Sequence, residues 1–363
     1  MQGLRKNNEA FIPRLRLFAY GQMGMPLAAI SLPLYVYLPT FYAETLGLGL
    51  ATVGLILLIA RIWDLLTDPL VGVLSDRVGK KYRRKKWITA GCPVFLVGLI
   101  LLFVPFKSVG PTYLLFVSLF FYLGVTIVMI PYLAWGAELA KGYHDRSRVT
   151  GIRECFVIIG TLLAASVPAI VGNDLRSAMQ LLAISISLIF IPSAIVLIIV
   201  TEDHNVTKLR KWNLRNSINT IFHNISFRKL LLAYFLNGFA NGLPATLFIL
   251  FVSHKLGAPN AVGYLLLTYF AFGIVGIPVW LALSRRIDKH RAWSTAMILA
   301  CICFLAVQFL RKGDVNEFAL ICALTGLCRG ADLSLPPSIQ ADIIAKDHKH
   351  TGEDRAGAFF GLW

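Results

Sequence analysis

Ten runs of about twenty predominantly apolar residues dominate this chain and constrain its fold more than any other feature. They fall at 17–43, 51–75, 87–106, 112–139, 151–172, 177–200, 229–252, 261–284, 292–310 and 317–340, and an eleventh begins near Ala356 and runs to Trp363. Each is long enough to cross the ~30 Å hydrocarbon core of a bilayer as a helix. The runs are too long and too uniform for strands, and the short alternating segments of a transmembrane barrel are absent. The expected fold is an all-α polytopic membrane protein with ten complete helices and the start of an eleventh. Composition agrees: 57% of the 363 residues are hydrophobic and 15% charged, against about 45–50% and 25% in soluble domains. A two-domain soluble enzyme is excluded on this ground.

The net charge of +16 would suggest a nucleic-acid partner in a soluble chain. Here its distribution matters more. With the N-terminus placed in the cytoplasm, 27 of the 35 Lys and Arg residues fall on the cytoplasmic side, five on the other and three within spans. That bias fixes the expected orientation and makes most of the basic residues solvated loop faces at a lipid surface. The residues ahead of the first span resemble a signal-peptide n-region, but the apolar stretch after them is too long for cleavage and reads as an anchor that stays. All six cysteines lie in spans without metal spacing, where they read as small packing residues, and His348 and His350 read as a solvated loop.

A polar stretch at 201–228 divides the chain into residues 1–200, with six spans, and 229–363, with the rest. Leu74-Ser-Asp-Arg77 followed by a basic run and Trp87 is echoed by Leu283-Ser-Arg-Arg286, a basic run and Trp293. The echo suggests two six-helix bundles, the second incomplete, and internal repeats of this kind place a solute site between the halves near the midplane.

The second span carries the charges that need explaining. At ~100° per residue, Arg61, Asp64, Asp68 and Gly72 lie within about 80° of one another on one helix face. Two ionised carboxylates near the centre of a span cost about 5–7 kcal/mol on insertion scales. They must face water, pair with a cation or be protonated. Two carboxylates one turn apart offer hard oxygens to Na⁺ or a coupled proton site, with the Thr67 hydroxyl beside them. The alternative is a structural ion pair with Arg61, which leaves one carboxylate unmatched. Thr126 in the fourth span can add another oxygen. Tyr132 and Trp135 share a face there and read as cavity lining or as packing. Arg153 opens the fifth span as a cavity cation or an interface residue. In the tenth span Arg329 and Asp332 are spaced to pair, and Pro336-Pro337 is expected to break the helix. No HExxH, GxSxG, P-loop or strand-borne GxGxxG is present, so neither an enzyme nor ATP-driven transport is indicated.

Gly72-Val-Leu-Ser-Asp76-Arg77-Val-Gly79-Lys80-Lys81-Tyr-Arg83-Arg84 resembles the loop between helices 2 and 3 of the major facilitator superfamily. With Arg61-Ile-Trp-Asp64-x-x-Thr-Asp68-Pro-x-x-Gly72 ahead of it, the chain resembles the glycoside-pentoside-hexuronide:cation symporter family. The resemblance implies the major facilitator fold and cation-coupled symport of a sugar-like small molecule by alternating access. Asp64, Asp68 and Thr126, with Thr67, would hold the coupling ion, Na⁺ or H⁺; no other cofactor or metal is implied. Arg153 would reach the solute, and Arg61, Tyr132 and Trp135 are the other expected cavity residues. Gly72, Asp76, Arg77, Gly79, Arg148, Asp342 and Arg355 would form the cytoplasmic gate. The expected setting is the inner (plasma) membrane of a bacterium, as a monomer, with the lipid bilayer and the solute as partners and no nucleic acid.

The departures bear on the solute. Melibiose-type carriers place a Lys-Asp pair where this chain has Leu27 and Ala28, an Asp at Met129, and Trp at Leu133 and Leu333. Most of the sugar clamp is missing while the cation residues are present. Since the family also includes carriers of lysophospholipids, an amphipathic cargo, an uncoupled facilitator and a non-transporting remnant stand as alternatives.

Overall fold

The structure, a computed structural model, describes residues 12–31, 33–77, 82–106, 109–140, 142–171, 174–203 and 221–363. The described residues contain no strand, as expected where a bilayer leaves no water to satisfy the backbone. The long helices are α4 (Leu50–Arg77), α5 (Arg83–Phe103), α6 (Pro111–Leu139), α7 (Tyr143–Val171), α8 (Leu175–Val200), α9 (Ile225–Leu250), α10 (Val262–Ile287), α11 (Lys289–Leu305) and α12 (Val315–Thr351), followed by the short α13 (Ala356–Gly361). Among the described residues nine helical stretches are long and apolar enough to cross a membrane, and the seventh apolar run folds as a further helix, α9.

The first run is not one helix. It forms α1 (Arg14–Gly21), α2 (Gly24–Ala29) and α3 (Leu38–Thr40), with π-helical turns at Pro33–Tyr37 and Phe41–Thr45. Pro26, Pro33 and Pro39 each remove a backbone donor, so no unbroken i→i−4 ladder can run through this segment. Conversely, α12 continues through Pro336 and Pro337, against the expected break. Both prolines are buried among packed helices, where tertiary packing holds the helix together past its two missing backbone donors. Helices also begin earlier than hydropathy suggests. α7 starts at Tyr143 and α9 at Ile225, inside the stretch read as linker; residues 204–220 of that stretch lie outside the described residues.

The segments before and after residues 204–220, the two halves of the chain, meet along α7, which packs on α10 and α12, and along α13, which packs on α4 and α6. Gly72 and Gly357 make the α4–α13 approach possible. A Cβ on Gly72 would meet the Gly357 carbonyl, and one on Gly357 would lie 2.6 Å from Ser75 Oγ and 2.8 Å from Asp76 Oδ1. Cross-half contacts therefore concentrate at the end of the bundle that carries the α4–α5 loop, and a cavity of about 520 Å³ lies behind them.

Candidate functional site

Thr126 on α6 sits opposite the charged face of α4. Its hydroxyl lies 3.1 Å from Asp64 Oδ1 and 2.8 Å from Asp68 Oδ1. One hydroxyl proton can serve only one of the two carboxylates at a time. The Arg61 guanidinium comes to 3.6 Å of Asp64 Oδ2, an ion pair too long for a hydrogen bond. It is sandwiched instead between the rings of Tyr35 and Tyr122, 4.5 and 4.7 Å from their centroids. Three oxygens thus converge with more negative charge than their neighbours balance, and Thr126 is 1% exposed. The Thr67 hydroxyl takes no part in this convergence; it donates to the Asp64 carbonyl of its own helix at 3.3 Å.

The central cavity draws its walls from both halves. From α7 it receives Arg153 and Glu154, which pair so closely that Glu154 Oε1 accepts from both Nε and Nη2. From α12 it receives Arg329 and Asp332, paired at 3.0 Å as their spacing suggests. Tyr132 lines the cavity as expected; its hydroxyl donates to the Tyr20 carbonyl at 3.0 Å and its ring stacks on Tyr20. Arg61 and Trp135 are not brought to this wall. Arg61 stays beside the carboxylates, and Trp135 is buried with its indole N–H donating to the Glu202 carbonyl at 2.9 Å, where α8 ends. The five positions where the sequence departs from the melibiose-type pattern, Leu27, Ala28, Met129, Leu133 and Leu333, all line the cavity.

The closed end is held by charges. Asp76, on the last turn of α4, accepts from the Gly357 and Ala358 backbone N–H groups at 2.8 and 2.7 Å, capping α13, and from Arg84 Nη2 at 2.6 Å. Arg84 also binds Glu138 of α6 at 2.5 Å, and Arg83 binds the same Glu138 at 2.8 Å. Arg83 and Arg84 belong to the basic run read as a solvated face; both are buried, because Glu138 and Asp76 neutralise them from two neighbouring helices. Across the halves, Asp342 takes Arg146 of α7 at 2.8 Å and Arg77 meets Glu353 at 3.4 Å; within its own half Asp342 also takes Lys289 of α11 at 2.6 Å. Arg355 binds Glu353 at 2.7 Å and lies 3.6 Å from Asp347, while Arg148 binds Asp145 within α7. Gly79 lies outside the described residues. At the same end, Asp203 accepts from the Lys85 backbone N–H at 3.1 Å; burial pushes its carboxyl above the ordinary carboxylate range, with the Lys85 N–H pulling it down.

Sequence reasoning passed over the surroundings of Asp332. Its Oδ1 accepts from Asn237 Nδ2 at 2.6 Å and Trp293 Nε1 at 2.8 Å; its Oδ2 accepts from Asn241 Nδ2 at 2.8 Å and Arg329 Nη1. The signal was present: Asn237 and Asn241 are one turn apart in an apolar run, and polar residues inside a span face a partner.

A family model described as MFS/sugar transport protein matches residues 17–363. The sodium-dependent lysophosphatidylcholine symporter 1 of Xenopus tropicalis is 24% identical over 372 residues, covering 90% of this chain and 70% of that protein. The human protein of the same name is 25% identical over 350 residues, covering 85% of this chain and 64% of that one. The chain thus spans about two-thirds of the length of these curated relatives. Among solved structures, a bacterial homologue of the iron transporter ferroportin in an outward-facing state aligns with a TM-score of 0.67 at 15% identity, over 96% of this chain and 86% of that one. That likeness carries the fold alone.

Proposed function

The chain belongs to the MFS/sugar transport protein family, and from that premise we propose that it is a secondary active transporter that couples a cation, Na⁺ or H⁺, to the uptake of a small solute by alternating access. The observation that carries this reading is the convergence of Asp64, Asp68 and the Thr126 hydroxyl with too little positive charge around them. Hard, negatively charged oxygens held in place inside a span bind a small cation or a proton, and binding relieves the repulsion between the carboxylates. The names of the frog and human relatives, both sodium-dependent symporters, favour Na⁺.

Alternating access follows from the placement of the contacts. With the cavity closed at the α4–α5 loop end by Asp76 on α13 and by Arg146 of α7 on Asp342 of α12, the solute enters from the opposite side. The 27-to-5 bias of basic residues supports reading the closed end as cytoplasmic and the state as outward-facing. Opening inward requires these cross-half bonds to separate while the halves rock about the midplane.

The family description makes a sugar- or glycoside-like solute the first reading. An amphipathic solute is the second, and a specific observation favours it. Leu27, Ala28, Met129, Leu133 and Leu333 make apolar the wall that a sugar clamp would make polar. Purified protein in proteoliposomes tests the function. Uptake of methyl glycosides and of lysophosphatidylcholine is measured with an inward Na⁺ gradient, with a pH gradient and with neither. Gradient-driven accumulation of one solute, lost in Asp68→Asn, is expected; uptake that only equilibrates the solute and is unaffected by either gradient makes the protein an uncoupled facilitator.

A further inference from the structure

The cavity carries two arginines, one from each half, in different states. Arg153 is 9% exposed and commits both its Nε and an Nη group to Glu154. Arg329 is 33% exposed. Asp332 engages Arg329 through a single Nη1 bond at 3.0 Å, because three neutral donors, Asn237, Asn241 and Trp293, share the same carboxylate. A carboxylate has about four acceptor sites and a guanidinium five N–H groups. Asp332 is therefore saturated with most of its hydrogen-bonding capacity directed elsewhere, and the guanidinium it holds retains donors on the cavity side. Asn237 and Asn241 of α9 and Trp293 of α11 fix the carboxylate from two neighbouring helices, so Arg329 is held in place before a solute arrives.

We propose that Arg329 selects the solute of this cavity by binding an anionic group on it, a carboxylate or a phosphate, while Leu27, Ala28, Met129, Leu133 and Leu333 contact its apolar part. A planar guanidinium with donors to spare matches the two-oxygen face of either anion. Asp332 acts as a positioning residue for Arg329 and does not touch the solute. The inference rests on the transport reading above and names the chemistry that the solute site recognises.

Isothermal titration of the purified chain in detergent, at fixed Na⁺, tests it with three soluble probes of equal tail length: hexyl β-D-glucuronide, hexyl phosphate and the neutral hexyl β-D-glucoside. The wild type should bind at least one anionic probe at least about tenfold more tightly than the neutral one, the effect of one hydrogen bond to a charged group. Preference for the glucuronide alone identifies a carboxylate, and preference for the phosphate alone a phosphate. Arg329→Gln should remove the preference, and Arg329→Lys should retain part of it. Equal binding of all three probes to the wild type overturns the inference without recourse to any variant, and so does a preference that survives in Arg329→Gln. Na⁺-induced thermal stabilisation, read on the same samples, separates the two readings. If the shift persists while the preference is absent, only the Arg329 assignment falls; if neither Na⁺ nor lowered pH shifts the midpoint, the cation reading falls.

Discussion

On α4, Asp64 and Asp68 share one hydroxyl and a guanidinium at 3.6 Å; on α12, Asp332 alone receives four donors at 2.6–3.0 Å. The same side-chain chemistry, set in the same kind of apolar helix, is left short of positive charge in one half and saturated in the other. A saturated carboxylate has no reason to bind an ion and serves to hold α9, α11 and α12 together. An under-compensated pair inside a span is costly unless something positive joins it, which is the condition for a binding site. Hence the cost of an intramembrane charge does not by itself identify function; the balance of donors around it does.

This contrast can be broken by substitution. The largest effect on stability is expected at Asp332. In Asp332→Ala the guanidinium of Arg329 and three neutral donors lose their acceptor together, and each buried donor so orphaned, Asn237 and Trp293 among them, costs about 1–3 kcal/mol. The thermal unfolding midpoint in detergent should fall sharply for this variant, while Asp64→Asn or Asp68→Asn, which remove uncompensated charge, should leave it nearly unchanged. Comparable losses at both places would dissolve the contrast. A smaller effect separates the two threonines. Thr126→Val removes the hydroxyl between the carboxylates and should weaken Na⁺-dependent stabilisation several-fold, the scale of one hydrogen bond of about 1 kcal/mol. Thr67→Val removes only a bond to its own helix and should leave the Na⁺ response as in the wild type. Equal weakening in both variants would mean that Thr67 joins the cation, and no change in either that Thr126 does not.

Much of this arrangement is legible in the sequence, for a physical reason. Carboxylates are rare within spans, so Asp64 and Asp68 stand out, and helical spacing places them on one face. Apolar run length locates the helices, though not their ends: α7 and α12 continue into polar sequence because helix bonding does not stop at the membrane surface. What spacing along one helix cannot give is the partner on another. Arg84 looks like any other charge in a basic loop until Glu138, 54 residues away, is brought to 2.5 Å. Asp332 looks like half of an i,i+3 pair until α9 and α11 bring three more donors. The broken first span was signalled by its prolines, but hydropathy averages over the interruptions.

The most direct test of the account is an infrared difference spectrum of the reconstituted protein, recorded as Na⁺ is added and, separately, as the pH is lowered. The account predicts that one of these additions changes the carboxylate bands of the wild type and that the change is absent in the Asp64→Asn, Asp68→Asn double variant. An identical difference spectrum in wild type and double variant would contradict it, because the responding carboxylates would then lie elsewhere in the molecule.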